Sequence, residues 1–417
     1  MKLYNTLSRS VEPFEPGGDS VKIYVCGITP YDTTHVGHAF TYASVDALVR
    51  YLELRGMSVQ YVQNVTDIDD DILRRARAVG EDWKQLGNQW TTHYIRDMQA
   101  LNIRPPDHFP RATDVIDDII DQVRKLLKRG VAYQANGNVY YSVSSWPEFG
   151  KLSQIPRSEM LPIANERGNY PNDPHKRDPL DFVLWQAEMP GEPSWESPWG
   201  KGRPGWHIEC STLAQKYLGD RVDIHGGGAD LCFPHHECEI AQVEPLRERR
   251  PFVRVWMHTA MVEYKGEKMS KSLGNLVMIS DLLPKYTANA VRVYLASHHY
   301  RKPWSFDEGD LKKAARLAEK FEKAVSAPAG TGTPLESEAA WAAFTASMDN
   351  DLDTPGALKV MEGLAEAIED ASMARRNVVE AQSALKTFGS VFGLRLGSPG
   401  GDEPVPDGWN ALLPRFA

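Results

Sequence analysis

Cysteine is scarce, four residues in a chain of 417, which excludes a disulfide-stapled scaffold. Long apolar runs are missing as well. No stretch approaches the ~18 residues of a membrane-spanning helix, so no helical span is expected. The opening MKLYNTLSRSVEPF has no apolar core of the secretory kind. Basic excess is also absent, since 47 Lys and Arg face 56 Asp and Glu for a net charge of −9. That balance rules out a surface that coats nucleic acid by overall charge, and leaves room only for a local basic patch. No internal repeat recurs. A cytoplasmic, monomeric globular protein is expected, and in a reducing compartment Cys26, Cys210, Cys232 and Cys238 point to metal or catalysis. At this length two or three domains are expected.

What is present is concentrated first in VCGITPYDTTHVGH, residues 25–38. Lys22–Val25 reads as a short buried strand, and Val45, Leu48, Val49 and Leu52 give the following helix one apolar face. A strand, a turn and a helix N-terminus together make a phosphate-binding arrangement, because the first helical N–H groups lack partners and carry partial positive charge. Gly37 lets a ligand approach the backbone, and His35 and His38 can donate to phosphate oxygens. A second cationic feature, Lys268-Met269-Ser270-Lys271-Ser272, follows the apolar stretch 257–262. Two lysines three apart, with hydroxyls between and after them, can wrap a triphosphate. This pair of motifs, in this order, is similar to the HIGH and KMSKS signatures of class I aminoacyl-tRNA synthetases. Val36 in place of Ile is the one departure.

The rest of the chain arranges around these motifs. Val59–Val65 alternates and reads as the next parallel strand of a βαβ unit. Thr66-Asp67-Ile68-Asp69-Asp70-Asp71 lies at its carboxyl end, where open α/β sheets bind ligands, and either caps the next helix or touches substrate. The expected organisation is residues 1–143, the first half of a Rossmann-type catalytic domain; 144–205, an irregular insertion; 206–287, the second half with the KMSKS loop; 288–395, a C-terminal helical domain; and 396–417, a loosely held tail.

A third constellation joins distant positions. Cys26 ends the first strand, Cys210 lies in GRPGWHIECS, and His235, His236 and Glu239 lie in HGGGADLCFPHHECEIAQ. Two thiolates, an imidazole and a carboxylate make a tetrahedral zinc set, and His235 and Glu239 share a helical face if a helix begins near Pro234. The spacing alone does not select zinc over scattered core cysteines.

The stretches YVCGITPYDTTHVGH, YVQNVTDIDD, GEPSWESPWGKGRPGWHIECS, DIHGGGADLCFPHHECEIAQ and GEKMSKSLGN resemble the cysteine-activating branch of class I synthetases, over nearly the whole length to about Leu394. That branch comprises cysteinyl-tRNA synthetase and the shorter mycothiol cysteine ligase. The resemblance implies a bound zinc at the base of the amino-acid pocket, held by Cys26, Cys210, His235 and Glu239, with Cys232 and Cys238 spare. It also implies that Gly27, Thr29, Thr41, Asn64 and Thr66 line the cysteine and adenylate pocket, that Trp206 walls the cysteine side chain, and that Gly228 and Asp230 approach the adenosine. His35, His38, Lys268 and Lys271 then act on the phosphates. The implied reaction activates L-cysteine with Mg·ATP to cysteinyl adenylate, releases pyrophosphate, and passes the cysteinyl group to an acceptor.

For the acceptor the sequence favours a small amine, an amino sugar such as glucosaminyl-inositol, over tRNA(Cys). The chain stops at Ala417, where a tRNA-charging enzyme is expected to continue into a further module. Ala39-Phe40 follows HVGH where the tRNA enzymes commonly carry Ala-Arg or Gly-Arg. Glu166-Arg167-Gly168-Asn169-Tyr170-Pro171 occupies the place of the ligase signature ERGGDP, with Asn-Tyr for Gly-Asp. Glu239-Ile240-Ala241-Gln242 instead matches the tRNA enzyme. An inactive binding paralogue needs a broken motif, and none is seen.

Overall fold

The computed structural model describes residues 1–31, 34–269, 274–397 and 408–416. The chain opens with an antiparallel hairpin, β1 (Lys2–Asn5) and β2 (Ser10–Pro13). Strand β3 (Ser20–Ile28) follows, and its second half is buried on both faces, as an inner parallel strand requires. Helix α1 (Val36–Leu54) buries Val45, Leu48, Val49 and Leu52 as the periodicity predicts, and Gly56 leaves it at φ +79°, the left-handed turn that glycine adopts without strain. Strand β4 (Ser58–Val65) then pairs parallel to β3. Helices α2 (Asp70–Val79), α3 (Trp83–Ala100) and α4 (Ile116–Arg129) come next, α4 ending on Gly130 at φ +81°.

The sequence predicts irregular chain over 144–205, and the structure differs. Strands β5 (Ala132–Ala135), β6 (Asn138–Tyr141), β7 (Phe182–Ala187) and β8 (Gly202–Pro204) form a four-stranded antiparallel sheet in that order, with helix α5 (Arg157–Asn165) between β6 and β7. β5 and β6 form a local hairpin, but β7 and β8 join it across longer intervals, which local Pro, Gly and Trp content could not reveal.

The central sheet resumes after helix α6 (Trp206–Leu218), with β9 (Val222–Gly228), helix α7 (His235–Val243) and β10 (Val253–Thr259). Its order is β10-β9-β3-β4, every pair parallel. The chain leaves β3 toward β4 on one side and returns with β9 on the other. That reversal opens a crevice at the strands' carboxyl ends, where α/β sheets take their ligands.

A small sheet follows, made of β11 (Val262–Tyr264), β12 (Glu267–Lys268) and, after helices α8 (Ile279–Leu282) and α9 (Ala288–Ala296), β13 (Trp304–Phe306). The chain ends in a bundle of α10 (Glu308–Ser326), α11 (Glu338–Asp349), α12 (Thr354–Met373) and α13 (Val379–Val391). A buried ion pair joins this end to α1: Arg292 of α9 lies 2.5 Å from Asp46 and donates to the carbonyl of Phe392 at 2.5 Å. Leu282, Val291, Val293 and Leu295 are buried, as expected of packing positions. The fold is thus a Rossmann-type parallel core with an inserted antiparallel subdomain and a C-terminal helical bundle, the architecture expected.

Where a loosely held tail is expected, residues 408–416 return to the catalytic half. Trp409 is fully buried and donates from Nε1 to the carbonyl of Ile103 at 2.7 Å, edge-on to Tyr94 and Phe109. One tryptophan in a Gly/Pro-rich tail gave no periodicity from which to read this.

Candidate active site

A cavity of about 790 Å³ opens at the carboxyl ends of the central strands. Cys26 and Gly27 enter it from β3, Asn64 and Thr66 from the end of β4, Gly228 from β9, and Ala260 from just beyond β10. Gly27 is there because the neighbouring strand passes too close for any side chain: a Cβ would meet the carbonyl oxygen of Asn64 at 1.6 Å. Its N–H donates to Asn64 Oδ1 at 2.8 Å, and Asn64 Nδ2 donates to Thr66 Oγ1 at 3.1 Å. Thr29, Thr41, Trp206 and Asp230 also line the cavity, so it gathers every residue expected at the cysteine and adenylate pocket.

His35 caps α1: its Nδ1 accepts from the His38 N–H at 3.3 Å, and the two rings stack at 3.7 Å. Both histidines line the cavity, and a Cβ at Gly37 would press on the His35 ring at 2.9 Å. The turn is stitched to the chain beyond the cationic loop, Val36 N–H donating to the Val277 carbonyl at 2.8 Å and Ile279 N–H to the Thr34 carbonyl at 3.0 Å. Lys268 closes β12, opposite Glu263. Lys271 and the side chain of Lys268 lie outside the described residues.

The dispersed Cys/His/Glu set converges at the base. The ligand atoms of Cys26, Cys210, His235 and Glu239 all lie within 4.8 Å of one another, and all four residues are buried. The Cys26 and Cys210 sulfurs are 3.7 Å apart, Cys26 Sγ is 3.7 Å from Glu239 Oε1, and His235 Nε2 is 3.3 Å from the same oxygen. Zinc bonds of about 2.3 Å to sulfur and 2.0 Å to nitrogen or oxygen span tetrahedral edges of roughly 3.8, 3.5 and 3.3 Å for S···S, S···O and N···O. The donors therefore already stand near the corners of such a tetrahedron. His235 and Glu239 share a face of α7, which begins at His235 as the spacing predicts. Burial holds the His235 imidazole well below its ordinary pKa, neutral and able to donate to a metal, and pushes the Cys26 thiol and Glu239 carboxyl up, a cost that a cation would offset.

Sequence reasoning missed what stands behind these donors. His225 Nε2 lies 3.0 Å from Glu239 Oε2, and His236 Nε2 lies 3.3 Å from Cys26 Sγ, so Cys26, His225, His236 and Glu239 form a second compact donor set. His236 Nδ1 meets His258 Nε2 at 2.8 Å, and His207 Nδ1 meets His235 Nδ1 at 3.0 Å. Burial brings His207, His225 and His258 down to about 3. His207 sits three residues before Cys210 on α6, a spacing that could have disclosed it. Trp206 stacks on His235 at 4.6 Å. Cys232 and Cys238 belong to neither donor set.

The acidic run divides. Asp67 is buried behind the wall, accepting from Thr113 N–H and Oγ1 at 3.0 and 2.6 Å. Asp69 lines the cavity and also caps α2, accepting from Ile72 N–H at 2.8 Å. The capping reading thus holds for Asp69, which also lies where it could face a substrate. The inserted subdomain supplies Glu166, Arg167, Gly168, Asn169, Tyr170 and Lys176 to the rim.

Comparison with known proteins agrees with this geometry. Residues 13–316 match the family of tRNA synthetases class I (C) catalytic domain, and residues 343–397 match the DALR domain. A cysteine–tRNA ligase of Dehalococcoides mccartyi is 43% identical over 95% of this chain and 87% of its own. An L-cysteine:1D-myo-inositol 2-amino-2-deoxy-alpha-D-glucopyranoside ligase of Thermomonospora curvata is 44% identical over 88% of this chain and 87% of its own. Among solved structures, Mycobacterium tuberculosis methionyl-tRNA synthetase in complex with methionyl-adenylate superimposes with a TM-score of 0.63 over 89% of each chain, at 16% identity, a likeness of fold. The HVGH turn on the crevice, a buried Cys/His/Glu cluster at its base and these matches place the chain in the class I family of cysteine-activating synthetases and ligases.

Proposed function

We propose that this ATP-dependent ligase joins L-cysteine to AMP and then esterifies the cysteinyl group to the 3′-terminal hydroxyl of a tRNA. The observation that carries cysteine is the convergence of Cys26, Cys210, His235 and Glu239 at the base of the cavity. These four residues would hold zinc, and when bound it supplies a soft affinity for sulfur over oxygen, the property that separates cysteine from serine. An apolar pocket would discriminate so small a change by only about 1–3 kcal/mol.

In the first step a carboxylate oxygen of cysteine attacks the α-phosphorus of Mg·ATP and pyrophosphate leaves. No base is needed, because the carboxylate is already ionised. His35 and His38, stacked at the start of α1, are assigned to the charge developing on the α-phosphate, with the helix N-terminus behind them. Lys268 and Lys271 are assigned to the leaving pyrophosphate. Asn64 and Thr66 orient the amino-acid end, Trp206 closes over it, and Gly228 and Asp230 take the adenosine. In the second step the acceptor oxygen attacks the carbonyl carbon, AMP leaves, and the acceptor's proton passes to the carboxylate of Asp69, which lines the cavity.

Transfer to tRNA is supported by the DALR domain match over 343–397 and by a cysteine–tRNA ligase matched along 95% of the chain. This reverses the preference drawn from the sequence. A second reading, amide formation with an amino sugar, is favoured by the Glu166–Tyr170 stretch on the cavity rim and by the 44% identical amino-sugar ligase. The test offers both acceptors to enzyme carrying radiolabelled cysteinyl adenylate. Label is expected on tRNA, with a rate that falls as salt rises, since many phosphate contacts are made. Label on the amino sugar, with none on tRNA, would transfer the assignment to the second reading.

A further inference from the structure

The rim contributed by the inserted subdomain has a feature that cysteine activation does not use. Residues 166–176 are pinned at several points. The Arg167 guanidinium donates to the carbonyls of Asp230 and Phe233, on the turn after β9. Asn169 Nδ2 donates to Asn165 Oδ1 at 2.7 Å and to the Pro179 carbonyl at 3.1 Å, while Lys176 Nζ donates to Asn169 Oδ1 at 2.6 Å. Asp173 accepts from the Tyr140 hydroxyl at 2.6 Å. On this fixed frame Tyr170 lines the cavity with its side chain 60% exposed. Among the described residues the other exposed large hydrophobic side chains, Val11, Leu54, Val79, Met189, Met373 and Val379, are not aromatic and do not line the cavity. The one exposed aromatic ring of this set therefore stands at the mouth of the site, on a segment held rigid beneath it.

Cations accompany it. Lys176 lines the same cavity, its pKa lowered by burial, and Arg74 lines it from α2. An uncovered ring on the wall of a cavity that also carries cationic side chains is how proteins hold an unpaired nucleotide, the base stacked on the ring and its phosphate near the charge. Stacking on a preset tyrosine costs little conformational entropy, since the ring has few torsions to lose.

We propose that Tyr170 is an acceptor-binding residue, the platform on which the unpaired 3′-terminal base of the tRNA stacks while its ribose hydroxyl reaches the cysteinyl carbonyl. The assignment rests on tRNA as acceptor and deepens that reading by naming the group the rim recognises. Stacking forms and breaks no covalent bond, so its effect belongs in the binding of the acceptor and not in adenylate chemistry.

The experiment is a double cycle on the full-length enzyme. Wild type, Tyr170→Ala and Tyr170→Phe are each charged with cysteinyl adenylate and titrated with two tRNA transcripts, one ending in adenosine and one with an abasic terminal ribose. Tyr170→Ala is expected to raise the half-saturating concentration of the intact transcript on the order of tenfold, and Tyr170→Phe to stay near wild type. With the abasic transcript the alanine penalty should disappear. An equal penalty on both transcripts would mean that the ring does not meet the terminal base, and the proposal falls. A raised KM for ATP in pyrophosphate exchange would assign the ring to the ATP base and also overturn it. Wild type that transfers to neither transcript, but does transfer to an amino sugar, would refute the tRNA reading itself, an outcome distinct from a flat cycle.

Discussion

At the scale of single residues the most exacting placements are the metal donors. Cys210 contributes one of two sulfurs standing 3.7 Å apart, close to a zinc tetrahedron's edge. Cys210→Ser should release the roughly one zinc per chain expected of a single four-ligand site, read by metal analysis of the dialysed protein, and should abolish cysteine-dependent pyrophosphate exchange. Exchange that persists in metal-free protein would remove zinc from the account. Asp69 offers a second, pH-dependent test. Burial, with Asp71 and Asp70 adding, pushes its carboxyl up to about 7. As proton acceptor for the attacking hydroxyl it works when ionised, so transfer from preformed adenylate should rise with pH to about 7 and level off above it. Asp69→Asn should flatten that profile and lower its plateau; an unchanged profile would place the proton elsewhere. The same shift has a stability sign. The unfolded chain releases this proton near the ordinary 3.8 and the folded chain near 7, so this group's contribution to stability falls as pH rises through that window.

At the scale of elements, what could be read in advance divides along a physical line. Strand β3, helix α1 and strand β4 were legible because each carries its own local signal: β-branched and aromatic residues over Lys22–Val25, a spacing of three to four along Val45, Leu48, Val49 and Leu52, and alternation over Val59–Val65. Helix α7 was legible from a single i, i+4 pair, His235 and Glu239. The joining of β7 and β8 to the inserted sheet was not, because Val139 finds Trp185, and Trp185 finds Pro204, across intervals that local pattern does not span. The site shows the same division. Residues inside recognisable motifs, Cys26, His35, His38 and Trp206, reach the cavity as expected. The histidines behind the donors, His207, His225 and His258, and the rim residues Tyr170 and Lys176 acquire their places only from tertiary packing.

At the scale of the whole molecule, the chain's two ends and its middle hold one another. Asp46 of α1 bonds Arg292 of α9, and Arg292 reaches the carbonyl of Phe392 beyond α13, while Asp349 and Asp351 of the bundle accept from Tyr51 and Tyr300, so buried polar contacts key the bundle into the catalytic half. Trp409 then packs edge-on against the stacked pair Tyr94 and Phe109. Replacing a fully buried tryptophan by alanine typically removes about 3–5 kcal/mol. In a chain of several domains that loss should appear locally. Trp409→Ala is expected to make the C-terminal peptide sensitive to limited proteolysis and to speed amide exchange in α3; unchanged cleavage would show that the tail is held by other contacts. The hydrogen bonds from Val36 to Val277 and from Ile279 to Thr34 carry a further consequence. They tie residues 277–279 to the start of α1, while β12 is tied to β11 on the other side of the cationic stretch. The chain between these two ties therefore has a set length to cover, and tolerates changes of letter better than changes of length. One residue inserted between Lys268 and Asn275 would add about 3.5 Å of chain, and is expected to slow cysteine-dependent pyrophosphate exchange although every signature residue is kept.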